Sequence, residues 1–150
     1  MPLVELLITS IVAGFIGTVF MTMSQEIELR YINKRPISFS PALAVFKIFR
    51  FNFEELSYKA RVVITYLVHF CYGTFWGFPL ALFYFYGYTE PFFLNIVYYA
   101  IILLQGWVIL LILNIAGPPW TWGTRAVIFE PIDKLMYVLY ASGSFMLLLC

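Results

Sequence analysis

The sequence predicts an all-α protein, a transmembrane four-helix bundle with a short interfacial helix between the first and second spans, and three observations carry that expectation. Apolar residues make up 63% of the chain and charged residues only 11%, with a mean hydropathy of +0.89, outside the range of ordinary soluble domains. Three windows, Leu3 to Met23, Arg61 to Tyr86 and Phe92 to Ala116, are apolar enough and long enough to cross a bilayer core. Each holds at least about twenty residues, which covers a hydrocarbon core of roughly 30 Å. Apart from Lys134, the lysines and arginines fall in two of the connections. Residues 1–150 therefore read as a single integral membrane domain with no separate soluble unit.

The first span has a short leader carrying Glu5 where a secretory signal would carry lysine or arginine, and no small-x-small cleavage site follows the apolar run. It reads as a permanent helix. Gly14, Thr18, Thr22 and Glu26 recur at i, i+4 spacing, so a small residue, two hydroxyls and a carboxylate share one face. Gly17 adds a second small residue beside them.

The connection from Tyr31 to Ala60 carries a helix-start signal, Ser40 as N-cap followed by Pro41. Apolar residues with Lys47 and Arg50 follow, which predicts a short helix over 41–51 lying on the membrane surface, its basic residues reaching anionic headgroups. A solvated loop is the alternative.

His69, the only histidine, sits in the second span about 12 Å past Arg61 at a rise of about 1.5 Å per residue. An ionisable group at that depth is costly. Gly73 and Gly77 follow it at i+4 and i+8, placing it on a face that a neighbouring helix can approach closely, with Tyr72 and Trp76 alongside. The simplest role is a hydrogen bond across a helix interface; a proton-handling or ligand-contacting role is the sharper alternative. Metal or haem ligation is the weakest, because one histidine cannot supply a two-histidine haem site and a metal would have to recruit Glu26, Glu130, Asp133 or a second subunit. No metal site and no cofactor are assigned.

In the third span Gln105 is the other deep polar group, and its amide is expected to bind a neighbouring helix. The fourth span closes the chain from Ala126 or Pro131 to Cys150. A start at Pro131 is preferred, since that length already spans and proline suits a first turn; Glu130 and Asp133 are then shallow, and Glu130 pairs with Lys134. A start near Ala126 with a kink at Pro131 would carry Asp133 to the depth of His69.

Arg30, Lys34, Arg35, Lys47, Arg50, Lys59 and Arg61 lie between the first two spans and Arg125 between the last two, whereas the connection Gly87 to Pro91 has no basic residue. The positive-inside rule then makes the first and third connections cytoplasmic and both termini external. Tyr84, Phe85, Tyr86, Tyr88, Phe92 and Phe93 read as the outer aromatic belt. Pro118, Pro119, Trp120 and Trp122 form a rigid inner turn that either anchors the protein at headgroup level or shapes the mouth of a site. Thr22, Glu26, His69, Tyr72, Asn114, Glu130 and Asp133 all fall toward the inner half, a distribution that a cytoplasm-facing polar cavity would explain. Cys71 and Cys150 have neither metal-ligand nor disulfide spacing and read as small apolar fillers.

Four segments, Gly14 to Glu28, Arg35-Pro36-Ile37-Ser38 with Pro41-Ala42 and Lys47, His69 to Gly73 with Gly77, and Pro118 to Gly123, together resemble a family of small bacterial four-helix membrane proteins with no assigned activity. Only the last three are specific. The resemblance implies a shared fold and a bacterial inner membrane, and it singles out His69, Tyr72, Gly73 and the tryptophan turn. Family members carry a histidine pair near the positions of Asp133 and Lys134 and an aspartate in place of Glu130, so a site built on those histidines would be altered here.

Three functions follow as expectations. The first is an accessory or structural membrane subunit, self-associating or packed into a larger complex through Gly14, Gly17, Gly73 and Gly77. The second is a transporter or channel component using the cavity around His69. The third is a membrane enzyme or metal-binding module, although no catalytic motif is present. The lipid bilayer is the expected partner. Topology already explains the basic loop residues, so no nucleic-acid role is expected.

Overall fold

The structure, a computed structural model, describes residues 2–32 and 38–149. Lys34, Arg35, Pro36, Ile37 and Cys150, named above, lie outside the described residues. Among the described residues there are helices and no strand. Three of the helical stretches, Leu3–Ile32, Pro91–Ile112 and Thr124–Leu149, are long and apolar enough to cross a membrane.

The first window becomes α1, Leu3–Ile27, whose end loosens into a π turn over Glu28–Ile32 that buries Glu28. Next, α2 runs over Ser40–Phe49. Ser40 is not its N-cap: Phe39 takes that place and the Ser40 side chain caps nothing, while Pro41 sits in the first turn, where no N–H is missed. Arg50 closes α2 in the left-handed conformation (φ 57°). Its Lys47 does not reach outward as predicted, because Nζ donates to the carbonyls of Leu113 and Asn114, both at 2.9 Å. Phe46 and Phe39 pack on Phe53 at 5.1 and 5.7 Å, and so hold α2 on the start of the following helix.

The window Arg61 to Tyr86 does not form one helix. It divides into α3, Tyr58–Phe75, and α4, Phe78–Phe85. Pro79 has no N–H for the Phe75 carbonyl, and its ring crowds that carbonyl. The N–H of Gly77 turns to Thr74 and that of Leu80 to Gly77, so the carbonyls of Gly73 and Trp76 lose their helical donors. Tyr137 and Tyr98 replace them, donating to Gly73 at 2.7 Å and to Trp76 at 2.6 Å.

Glu90 caps the next helix, α5 (Pro91–Ile112), by accepting from the N–H groups of Phe92 and Phe93. This helix stops before the predicted Ala116, and Asn114, at φ 50°, reverses the chain beyond it. A short 3-10 turn over Pro119–Thr121 leads into α6, Thr124–Leu149. The preferred start at Pro131 is thus wrong. The helix begins earlier and runs through Pro131, and packing against α1 outweighs the lost hydrogen bond.

Glycines set how closely these helices approach. A methyl group on Gly17 would come within 2.8 Å of Ala141 Cβ and of the Tyr137 carbonyl on α6, and one on Gly14 within 2.6 Å of the Thr74 carbonyl. Gly73 lies against Thr18, and Gly77 against Gly14 and the Ser10 carbonyl. All four therefore seat α1 against α3, α4 and α6. Toward the other end Ser142 donates to Asn95 at 2.6 Å and ties α6 to α5. Tyr84 packs on Phe145, whereas Phe85, Tyr86, Tyr88, Phe92 and Phe93 are exposed. Cys71 is exposed on α3 and fills no core position, contrary to the sequence reading.

Candidate polar cavity

The end of the molecule that holds Arg30, Lys47, Arg61 and Arg125 encloses a cavity of about 460 Å³. Its size lies within the roughly 300–1,000 Å³ typical of small-molecule pockets. Its back wall is α1 and α6, which pack along each other, and its sides are α3 on α1 and α5 on α6. Between α3 and α5 there is no extended packing. They are joined by two hydrogen bonds, from the Tyr72 hydroxyl to Gln105 Oε1 and, at the α3–α4 break, from the Tyr98 hydroxyl to the Trp76 carbonyl, while α2 crosses the basic end through Ala44, Val45 and Ile48.

The face predicted on α1 points at α3. Thr18 and Thr22 each donate to the carbonyl one turn back at 2.7 Å, which removes the conflict between a hydroxyl and a buried helix. Thr22 Oγ1 also lies 3.1 Å from His69 Nε2. Since Thr22 has a single proton and Thr18 receives it, His69 must be the donor in this pair. In the neutral imidazole Nδ1 then carries the lone pair. It has no hydrogen-bond partner among the described residues, and the ring lines the cavity.

One turn further, Glu26 accepts from the Tyr66 hydroxyl through one oxygen and from Arg30 Nε at 2.7 Å through the other. On α6, Lys134 pairs with Glu130 at 3.3 Å, as the sequence predicts, but with its side chain largely enclosed. Asp133 is only 3% exposed and accepts from Ser24 at 2.8 Å. No cation lies within ion-pair distance of it among the described residues. The early start of α6 puts it inside the helix instead of in a first turn, and it is buried against α1 through Ser24.

Of the predicted site residues, Thr22, Glu26, His69, Tyr72, Glu130 and Asp133 all line the cavity. Asn114 does not: it lies past the end of α5, exposed, where its carbonyl receives Lys47. The tryptophan turn splits, with Trp120 exposed and Trp122 at the cavity wall, where its Nε1 donates to the Gly117 carbonyl at 2.8 Å. Tyr66 was missed, although it precedes His69 by one helical turn and shares its face. Also missed were the hydroxyls of Tyr98 and Tyr137, which lie 3.1 Å apart at the α3–α4 break, where Tyr137 lines the cavity. Two buried polar atoms on the lining residues, Thr65 Oγ1 and Trp76 Nε1, have no hydrogen-bond partner.

No group of three or more His, Cys, Asp or Glu placed to hold a metal ion occurs among the described residues. The lining sets acceptors, the Lys134–Glu130 ion pair and aromatic edges in an apolar wall, groups that can recognise a small molecule. No family model, curated protein or solved structure matches this chain.

Proposed function

We propose that the protein is a multi-pass membrane protein that binds a small molecule in the cavity around His69, as a transport or ligand-delivery component. The observation that carries this reading is the convergence of Thr22, Glu26, His69, Tyr72, Glu130 and Asp133 on one cavity of about 460 Å³. An ionisable group retained inside a membrane marks a functional position, and these lie together. Support for the accessory-subunit reading came from Gly14, Gly17, Gly73 and Gly77, and each of these already seats a helix of the same chain.

In this reading α3 and α4 together form a fourth crossing, broken at Trp76–Gly77 beside the cavity, as non-helical backbone at membrane depth must be. The basic end is then cytoplasmic, both termini are external and α2 lies at the inner interface, and a bacterial inner membrane is the location that goes with the resemblance given above. Labelling with an impermeant maleimide tests the orientation. With Cys71 and Cys150 both replaced by serine, Thr89→Cys is expected to react from outside and Asn52→Cys only after permeabilisation.

Binding is tested by filling the cavity. Gly106 lines it from α5, and a methyl group there would meet only Lys134 Cε, at 3.9 Å. Gly106→Leu is expected to keep the fold and to lose the small molecule that co-purifies with the natural protein, read by mass spectrometry of gentle extracts. Identical extracts from both proteins would remove the proposal.

A further inference from the structure

We infer that the cavity takes an organic ammonium ion with an apolar chain, its cation held at the end where Asp133 lies and its chain directed out between α3 and α5. This rests on the reading of the cavity as a binding site and goes on to name its ligand class. Of the carboxylates that line the cavity, Glu26, Glu28 and Glu130 have partners, whereas Asp133 forms no ion pair among the described residues and feels Lys134 only at longer range. Glu26 has Arg30 and Glu130 has Lys134, whereas Asp133 has only the Ser24 hydroxyl on one oxygen. A carboxylate 3% exposed with no cation in contact is a costly arrangement, and a bound ammonium relieves it.

Other groups in the wall suit the same ligand. His69 carries an acceptor at Nδ1, fixed by the donation of its Nε2 proton to Thr22. The rings of Tyr72, Trp76 and Trp122 add aromatic surface, which attracts cations. The rest of the wall, including Met21, Ile102 and Ile109, is apolar and accommodates a chain.

The route follows from what does not touch. With α3 packed on α1 and α5 on α6, the gap between α3 and α5 is crossed by the Tyr72–Gln105 hydrogen bond and shut at the basic end by α2. An amphipath dissolved in the bilayer can therefore enter sideways once that bond opens.

The test uses the full chain in phosphatidylcholine nanodiscs, titrated separately with octylammonium, octanol and octanoate, with tryptophan fluorescence and the thermal midpoint as readouts. Octylammonium is expected to saturate and to raise the midpoint, at least tenfold tighter than either of the others. Asp133→Asn, which keeps an acceptor for Ser24, is expected to weaken octylammonium tenfold or more and leave octanol unchanged. Should octanol or octanoate bind as tightly as octylammonium and lose binding in Gly106→Leu, the cavity stands and the ammonium inference falls. Should none of the three saturate, both fall. The ranking of the three probes on the natural sequence decides the matter even where Asp133→Asn does not fold.

Discussion

Thr22 donates its hydroxyl proton to the Thr18 carbonyl at 2.7 Å and receives the Nε2 proton of His69 at 3.1 Å, so one threonine on α1 sets the tautomer of the single histidine on α3. With one histidine in the chain, its nitrogen resonances are unambiguous. The ¹⁵N spectrum is expected to show the Nε2-protonated form. Thr22→Val removes the acceptor, shifts the tautomer populations and costs about 1 kcal/mol of stability, the usual size of an interhelical hydrogen bond in a membrane. A spectrum that does not change between the two proteins would show that the pair is not formed.

The break between α3 and α4 depends on two tyrosine hydroxyls from other helices. Tyr98→Phe leaves the Trp76 carbonyl without a donor, and Tyr137→Phe does the same to Gly73. Each is expected to lower stability by about 1–3 kcal/mol, the cost of a buried polar group left unsatisfied. Because the two hydroxyls lie 3.1 Å apart, the double variant should lose less than the sum. Reversible unfolding in mild detergent measures all three, and strict additivity would show that the tyrosines act independently.

Helix existence was legible in the sequence because apolar runs of membrane length have few alternatives, and three such helices are present. The i, i+4 spacing of Thr22 and Glu26 on α1 and of His69 and Gly73 on α3 likewise gave faces that do meet. What failed were proline positions. Pro79 was absorbed into an apolar run although it breaks the helix, while Pro131 was read as a boundary although the helix passes through it. The difference lies in tertiary partners: Tyr98 and Tyr137 satisfy the broken turn, and α1 packs along α6. Neither is local in sequence. Lys47 was read from the same local logic as a headgroup ligand, and its actual acceptors lie on a helix more than sixty residues away.

Glycine substitutions should separate close approach from mere smallness. At Gly77 an added methyl would press on the Ser10 carbonyl and the Gly14 backbone, neither of which can rotate aside, so Gly77→Ala must push α1 away. A loss of about 1–3 kcal/mol is expected, as for other overpacked sites. Gly143 on α6 has nothing within 4 Å of such a methyl, and Gly143→Ala should gain up to about 1 kcal/mol from helix propensity alone. Thermal midpoints moving in opposite directions are the expected result; a tolerated Gly77→Ala would mean that α1 and α4 are not in contact there.

Lys47 is the tie between α2 and the end of α5. Its ammonium sits on the carbonyls of Leu113 and Asn114, which belong to the terminus left without intrahelical donors, and a positive charge there also suits the helix dipole. Lys47→Met keeps the length and apolar stem of the side chain but removes both hydrogen bonds. With α2 then held chiefly by Phe39 and Phe46 against Phe53, its backbone should open more often, and amide exchange over Ser40–Phe49 should speed up several-fold while α6 is unaffected. Lys59→Met, at an exposed position in the first turn of α3, removes the same charge without touching α5 and serves as the control. Equal exchange in the two variants would show that charge, and not the α2–α5 tie, governs the motion; faster exchange in Lys47→Met alone makes α2 the movable cover of the cavity's basic end.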